Sequence, residues 1–183
     1  MDALKERLAV YARFVEEMIV RSRTALVEQQ PDIQSGIIEE DEPRANRYEM
    51  DLERIADHAV NIALSVRELL AGFPPPPADA LPRMFEETII MVDCAIRSFI
   101  GGDAALGQKV CETDTSVDTL ATGILERVSA SMSKSAASVS QSLAVLKIAG
   151  NLERIADLST NIGEDVIYMT EGRVIKHHRE EQQ

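Results

Sequence analysis

A chain of 183 residues with 45% apolar but only 4% aromatic residues and no Trp must fill its core with Val, Ile, Leu, Met and Ala, which favours helix packed on helix over a β-sandwich. Its formal net charge of −12, from 31 acidic and 19 basic residues, repels phosphate backbones and anionic bilayers, and the sequence has no basic stripe of the kind a nucleic-acid reader shows. No stretch approaches the roughly 18–20 apolar residues that span a bilayer, so direct membrane insertion is excluded as an expectation.

The elements follow in chain order. Met1 to Glu6 carries charges where a signal peptide needs an apolar core, so a cytoplasmic protein is expected. Leu4, Leu8, Tyr11, Val15, Met18 and Leu26 recur at roughly helical spacing, predicting a helix from about Asp2 to Glu28. Pro31 and Asp32 break it, and Glu39 to Pro43 is a second, acidic break. Asp41 is a plausible cap for a long helix that runs to about Leu70. Gly72 and Phe73 are followed by four prolines, Pro74 to Pro77, which cannot be helical and favour an extended spacer. The expected organisation is therefore a first part at 1–71, a Pro-rich linker at 72–80 and a second part at 81–183. The second part reads as three helices, about Leu81 to Ile100, Asp103 to Met132 and Ser135 to Glu171. Gly101, Gly102 and the Ser-rich stretch from Ser129 to Ser135 mark its turns.

An internal repeat is the most informative feature. The segment DLERIADHAVNIALSV from Asp51 to Val66 returns as NLERIADLSTNIGEDV from Asn151 to Val166, with nine of sixteen positions identical and no gap. Leu52, Ile55, Ile62 and Val66, with Leu152, Ile155, Ile162 and Val166, form an apolar stripe for a core. Glu53, Arg54, Asp57 and Asn61, with Glu153, Arg154, Asp157 and Asn161, form a repeated polar set that packing alone does not require.

Glu53 and Asp57 lie one helical turn apart, as do Glu153 and Asp157. Like charges at this spacing destabilise an isolated helix by a few tenths of a kcal/mol, roughly, and a cation between them reverses the sign. Carboxylate oxygens suit Mg, Mn, Fe or Zn. Asp114 and Asp118 repeat the spacing on the preceding helix. Antiparallel packing would turn them toward Glu153 and Asp157 as a four-carboxylate cluster. The plainer reading is a solvated acidic face with Arg54 and Arg154 as ordinary surface ion-pair partners, worth about 0–1 kcal/mol each.

Other candidates carry less. Cys94 and Cys111 fall on apolar helical stretches and read as small core residues rather than metal ligands. His58 follows Asp57 in the first copy, but Leu158 takes its place in the second, and His177 and His178 sit in a charged tail. No nucleophile–base set and no glycine-rich phosphate loop is present, so an enzyme is not expected.

The two signatures, Asp51 to Ala63 and Asn151 to Ile162, resemble those of the PhoU family, as do Gln29-Gln30-Pro31, the helix around Asp103 to Asp118, and Tyr168 to Gly172. The resemblance implies an all-α fold of two tandem PhoU-type helical bundles, with a spectrin-like three-helix bundle in the second half. It implies metal clusters held by the carboxylate pairs, here Glu53/Asp57, Asp114/Asp118 and Glu153/Asp157, with iron or zinc foremost and Mg or Mn as alternatives. It also implies negative regulation of phosphate uptake and signalling, through contact with the phosphate ABC transporter ATPase subunit and a phosphate-sensing histidine kinase, commonly as a homodimer. Two other contexts remain open: a domain associated with a sodium–phosphate cotransporter, and a metal-dependent helical-bundle enzyme. The first half is shorter than the family pattern and lacks a counterpart of Asp114 and Asp118. Five long helices rather than six are therefore expected, with the second half as the better metal site. The missing helix would come from a partner or a second subunit.

Overall fold

The computed structural model describes residues 42–71, 79–132 and 139–174, together with Val20, Arg23 and Glu39. The expected helix at 2–28 and the proline run at 74–77 lie outside the described residues, as does the tail bearing His177 and His178. Four long helices are described: α1 (Glu42–Leu70), α2 (Leu81–Gly101), α3 (Ala104–Met132) and α4 (Val139–Glu171). No strand occurs among the described residues. The chain divides into two compact units, Met1–Glu53 and Arg54–Gln183, with the boundary inside α1. In the first unit the described part is chiefly the start of α1, where Tyr48 is buried.

In the second unit α2, α3 and α4 pack against one another as a three-helix bundle. The connection between α2 and α3 shows why the sequence folds this way locally. Pro82 stands in the first turn of α2, where its missing N–H costs nothing, and α2 ends on Gly102 at φ 58°. That left-handed residue lets the Asp103 N–H reach the Ser98 carbonyl at 2.9 Å, satisfying one of the helix's last acceptors. Asp103 then caps α3, its Oδ1 accepting from the Leu106 N–H at 3.0 Å. The expected first residue of α3 is thus its cap, a shift of one position. The last helix begins at Val139, and it stops at Gly172, again at a positive φ of 65°.

The core is aliphatic, as the composition requires. Met84, Met91, Val110, Val117, Ile124 and Ile148 are among its fully buried side chains. Valine is a modest helix former because its branched Cβ loses rotamer freedom, so tertiary burial rather than propensity holds these helices. One contact sets the α3–α4 register. Gly107 and Gly163 meet backbone to backbone: a Cβ on Gly107 would lie 2.8 Å from the Gly163 carbonyl oxygen, and one on Gly163 would lie 3.0 Å from that of Gly107. Only residues without a Cβ allow that approach.

Candidate functional site

The glycine crossing determines which carboxylates can meet. Asp114 lies seven residues beyond Gly107 on α3, and Asp157 six residues before Gly163 on α4. With the helices antiparallel, equal travel from the crossing brings the Asp114/Asp118 pair to the level of Glu153/Asp157. The electrostatics agree. The Glu153 carboxyl is pushed up, first by the partial loss of water on its seam-facing side although the residue as a whole is exposed, then by the Asp118 and Asp157 carboxylates, with Arg154 pulling the other way. Arg154 Nη1 lies 3.4 Å from Asp157 Oδ2. Its own side chain is largely exposed, so this is a weak, screened pair.

The acids differ in burial. Asp114 is 1% exposed, Asp118 and Asp157 are half-buried, and Glu153 is at the surface. Among the described residues, no group of three His, Cys, Asp or Glu side chains is close enough to hold a metal ion. The donor chemistry suits a hard or borderline cation. The placement brings the carboxylates within electrostatic reach but leaves the ligand set open.

The first copy of the repeat is arranged otherwise. Glu53 and Asp57 are both exposed on α1. Of its apolar stripe, Ile55 and Ile62 are buried while Leu52 and Val66 are half-buried; in the second copy Leu152, Ile155, Ile162 and Val166 are all buried.

Residues that carried little or no weight in the sequence also enter the site region. His58 Nδ1 lies 2.8 Å from Asn151 Oδ1, joining the first copy of the repeat to the second. The Asn151 side-chain NH₂ donates to the Lys147 carbonyl at 2.6 Å. That bond orients the amide, so Oδ1 must be the acceptor and His58 carries its proton on Nδ1. Nearby, Lys147 Nζ pairs with Glu68 Oε2 at 3.0 Å. No spacing rule signals a hydrogen bond between residues 93 apart in sequence.

Glu87 on α2 was also missed. Burial alone would raise its carboxyl, but hydrogen bonds from Ser116 on α3 and from Arg83 outweigh that, and the net shift is downward. The Arg83 Nε–Glu87 Oε1 distance is 2.8 Å.

The two cysteines are buried, free thiols, as their apolar settings suggested. The Cys111 thiol is pushed up to about 12, by burial first and then by Glu164 and Asp114. It therefore stays protonated and is a poor nucleophile or metal ligand. No helix among the described residues is long and apolar enough to cross a membrane.

Among the described residues every element is a helix, and three of them pack as a bundle, which places the chain among the helical-bundle proteins. Comparison with known proteins narrows it. The PhoU domain family matches residues 81–166. A Thermotoga maritima protein named phosphate-specific transport system accessory protein PhoU homolog 2 is 36% identical over 130 residues, which is 71% of this chain and 55% of that protein. An Aquifex aeolicus PhoU homolog of the same name series is 26% identical over 209 aligned positions, covering 97% of this chain and 94% of the relative. The crystal structure of PhoU from Pseudomonas aeruginosa superposes with a TM-score of 0.70 at 24% identity, over 94% of this chain and 97% of that one; this likeness speaks for the fold. The chain belongs to the PhoU family. It spans little more than half the length of the Thermotoga relative and of those from Xylella fastidiosa and Clostridium acetobutylicum.

Proposed function

We propose that this chain is a PhoU-type accessory protein of phosphate transport that acts by binding and restrains phosphate uptake and phosphate signalling. Family membership and the names of its relatives support the phosphate role. The observation that supports the mechanistic part is the register of the α3–α4 crossing at Gly107 and Gly163, which brings Asp118 on α3 to the level of Glu153, with Asp157 one turn further along α4. Like charges gathered at the seam repel one another, and a bound cation relieves that repulsion. Asp114, Asp118, Glu153 and Asp157 are thus the residues proposed to hold metal, with iron or zinc as the first choices and Mg or Mn as alternatives. Metal bound there would stiffen the α3–α4 pair. Glu53 and Asp57 are the corresponding but exposed pair on α1, proposed as a weaker site that is open only while α1 is unpaired.

The proposed partners are the ATPase subunit of a phosphate ABC transporter, a phosphate-sensing histidine kinase and a second copy of this chain, met in the cytoplasm. In a host lacking its own accessory protein, this chain should restore restraint of phosphate uptake under phosphate plenty. Wild-type chain that is folded and expressed yet leaves uptake unrestrained would overturn the phosphate reading. Elemental analysis of protein purified without chelators tests the metal separately. The expected result is bound metal that falls sharply in Glu153→Ala/Asp157→Ala, and equal metal content in both proteins would remove the site.

A further inference from the structure

The two copies of the repeat leave different faces uncovered. In the second copy Ala156, Ser159, Thr160, Gly163 and Ile167 are all buried within the bundle. Their counterparts Ala56, Ala59, Val60, Ala63 and Arg67 on α1 are all exposed. Val60 is 58% exposed where Thr160 is 3%, and beside it Leu64 is 42% exposed. Asp57, Val60, Leu64 and Arg67 recur at spacings of three and four residues and so form one stripe along α1.

The stripe has an order that matches itself. Its centre is apolar, its N-terminal end is acidic at Asp57, and its C-terminal end is basic at Arg67. Laid antiparallel on an identical stripe, about a two-fold axis at the level of Ile62, Val60 meets Leu64 and Asp57 meets Arg67, each twice. A self-complementary patch of this kind is what an isologous contact requires. We propose that this stripe on α1 is the surface through which two copies of the chain associate. The proposal rests on the two-copy reading above and names the surface.

The chemistry selects a second copy over a helix like α3. On α4, Gly163 admits the α3 backbone; on α1, Ala63 stands in its place. The methyl group keeps a partner helix at the ordinary separation of about 8–10 Å, where side chains such as Val60 and Leu64 interdigitate. One helix pair is at the small end of specific interfaces, near about 1,000 Å² in total, so the association should be weak and concentration-dependent.

Sedimentation velocity of the full chain over a range reaching about 100 µM tests the idea. The expected result for wild type is a reversible monomer–dimer equilibrium. Val60→Glu/Leu64→Glu should weaken it at least tenfold while far-ultraviolet circular dichroism stays unchanged. Asp57→Arg should also weaken it, because two arginines then face each other, and Asp57→Arg/Arg67→Asp should recover it. Dimerisation undiminished in Val60→Glu/Leu64→Glu overturns the surface while leaving the two-copy reading standing. A failure of the charge swap to recover overturns the antiparallel pairing, and a wild type that is monomeric throughout overturns surface and two-copy reading together. None of these outcomes bears on the phosphate reading, which the uptake measurement decides.

Discussion

The two copies of the repeated segment share nine of sixteen residues, yet one is a core element and the other is half bare. Both form helix, and both bury the isoleucines at the equivalent positions, Ile55 and Ile62 in one and Ile155 and Ile162 in the other. The copies part company on the neighbouring face. In α4 that face carries Ala156, Ser159, Thr160 and Gly163, small residues that let another helix come close. In α1 it carries Ala56, Ala59, Val60 and Ala63, in contact with solvent. The same signature thus places carboxylates on the same side of a helix, but only a neighbouring helix turns them into a candidate site.

Substitutions at equivalent positions sharpen that contrast, and the largest effect should come from a charge. Thr160→Asp buries a carboxylate at a position 3% exposed, and should cost roughly 3–5 kcal/mol. Val60→Asp, at a position 58% exposed, should change monomer stability by no more than about 0.5 kcal/mol. Urea denaturation of the pair decides it. Equal losses at the two positions would mean that the copies are buried alike.

The next effect is steric. Gly163→Val forces a Cβ to within 3.0 Å of the Gly107 carbonyl oxygen, and should lose about 3 kcal/mol as α3 and α4 are pushed apart. Ala63→Val adds the same branched side chain to the exposed counterpart, and should cost only a few tenths of a kcal/mol, about the difference in helix propensity. A thermal midpoint for Gly163→Val close to wild type would show that the close crossing does not hold the register.

A smaller change tests the link between copies. His58→Leu installs the residue that the second copy has and removes the 2.8 Å bond to Asn151. The expected loss is about 1 kcal/mol, the ordinary net worth of a partly buried hydrogen bond. Asn151 is half-buried, so water can replace the lost donor and keep the loss small.

The smallest effect is electrostatic and concerns Glu153. Its folded-state carboxyl titrates above its unfolded value. The folded chain therefore binds that proton more readily, and the cost of the charged form is fully present above the folded value. Stability should rise as pH falls from neutral through the folded pKa toward the unfolded one. In chelator-treated protein, Glu153→Gln should flatten this rise and be at least as stable as wild type at neutral pH. A variant less stable than wild type at neutral pH would show that the glutamate is held by favourable partners rather than strained by its neighbours.

Much of this was legible beforehand because it depends on local rules. Helix periodicity, the Gly102 stop and the doubled signature are written within a few residues of where they act, and α1 to α4 begin and end close to the expected positions. The acidic pairs were legible too, since residues four apart on a helix must share a face. What stayed hidden was non-local. The His58–Asn151 bond, the Glu87–Ser116 bond and the meeting of Gly107 with Gly163 join residues far apart in sequence, and no spacing foretells them.

The sequence by itself determined the helical class, the core stripe and the family, because periodicity and composition act through each residue's own backbone and its neighbours one turn away. Only the tertiary structure decided which copy of the signature became interior and which stayed open. That choice turns on how near a second helix can approach, and two missing Cβ atoms at the α3–α4 crossing settle it.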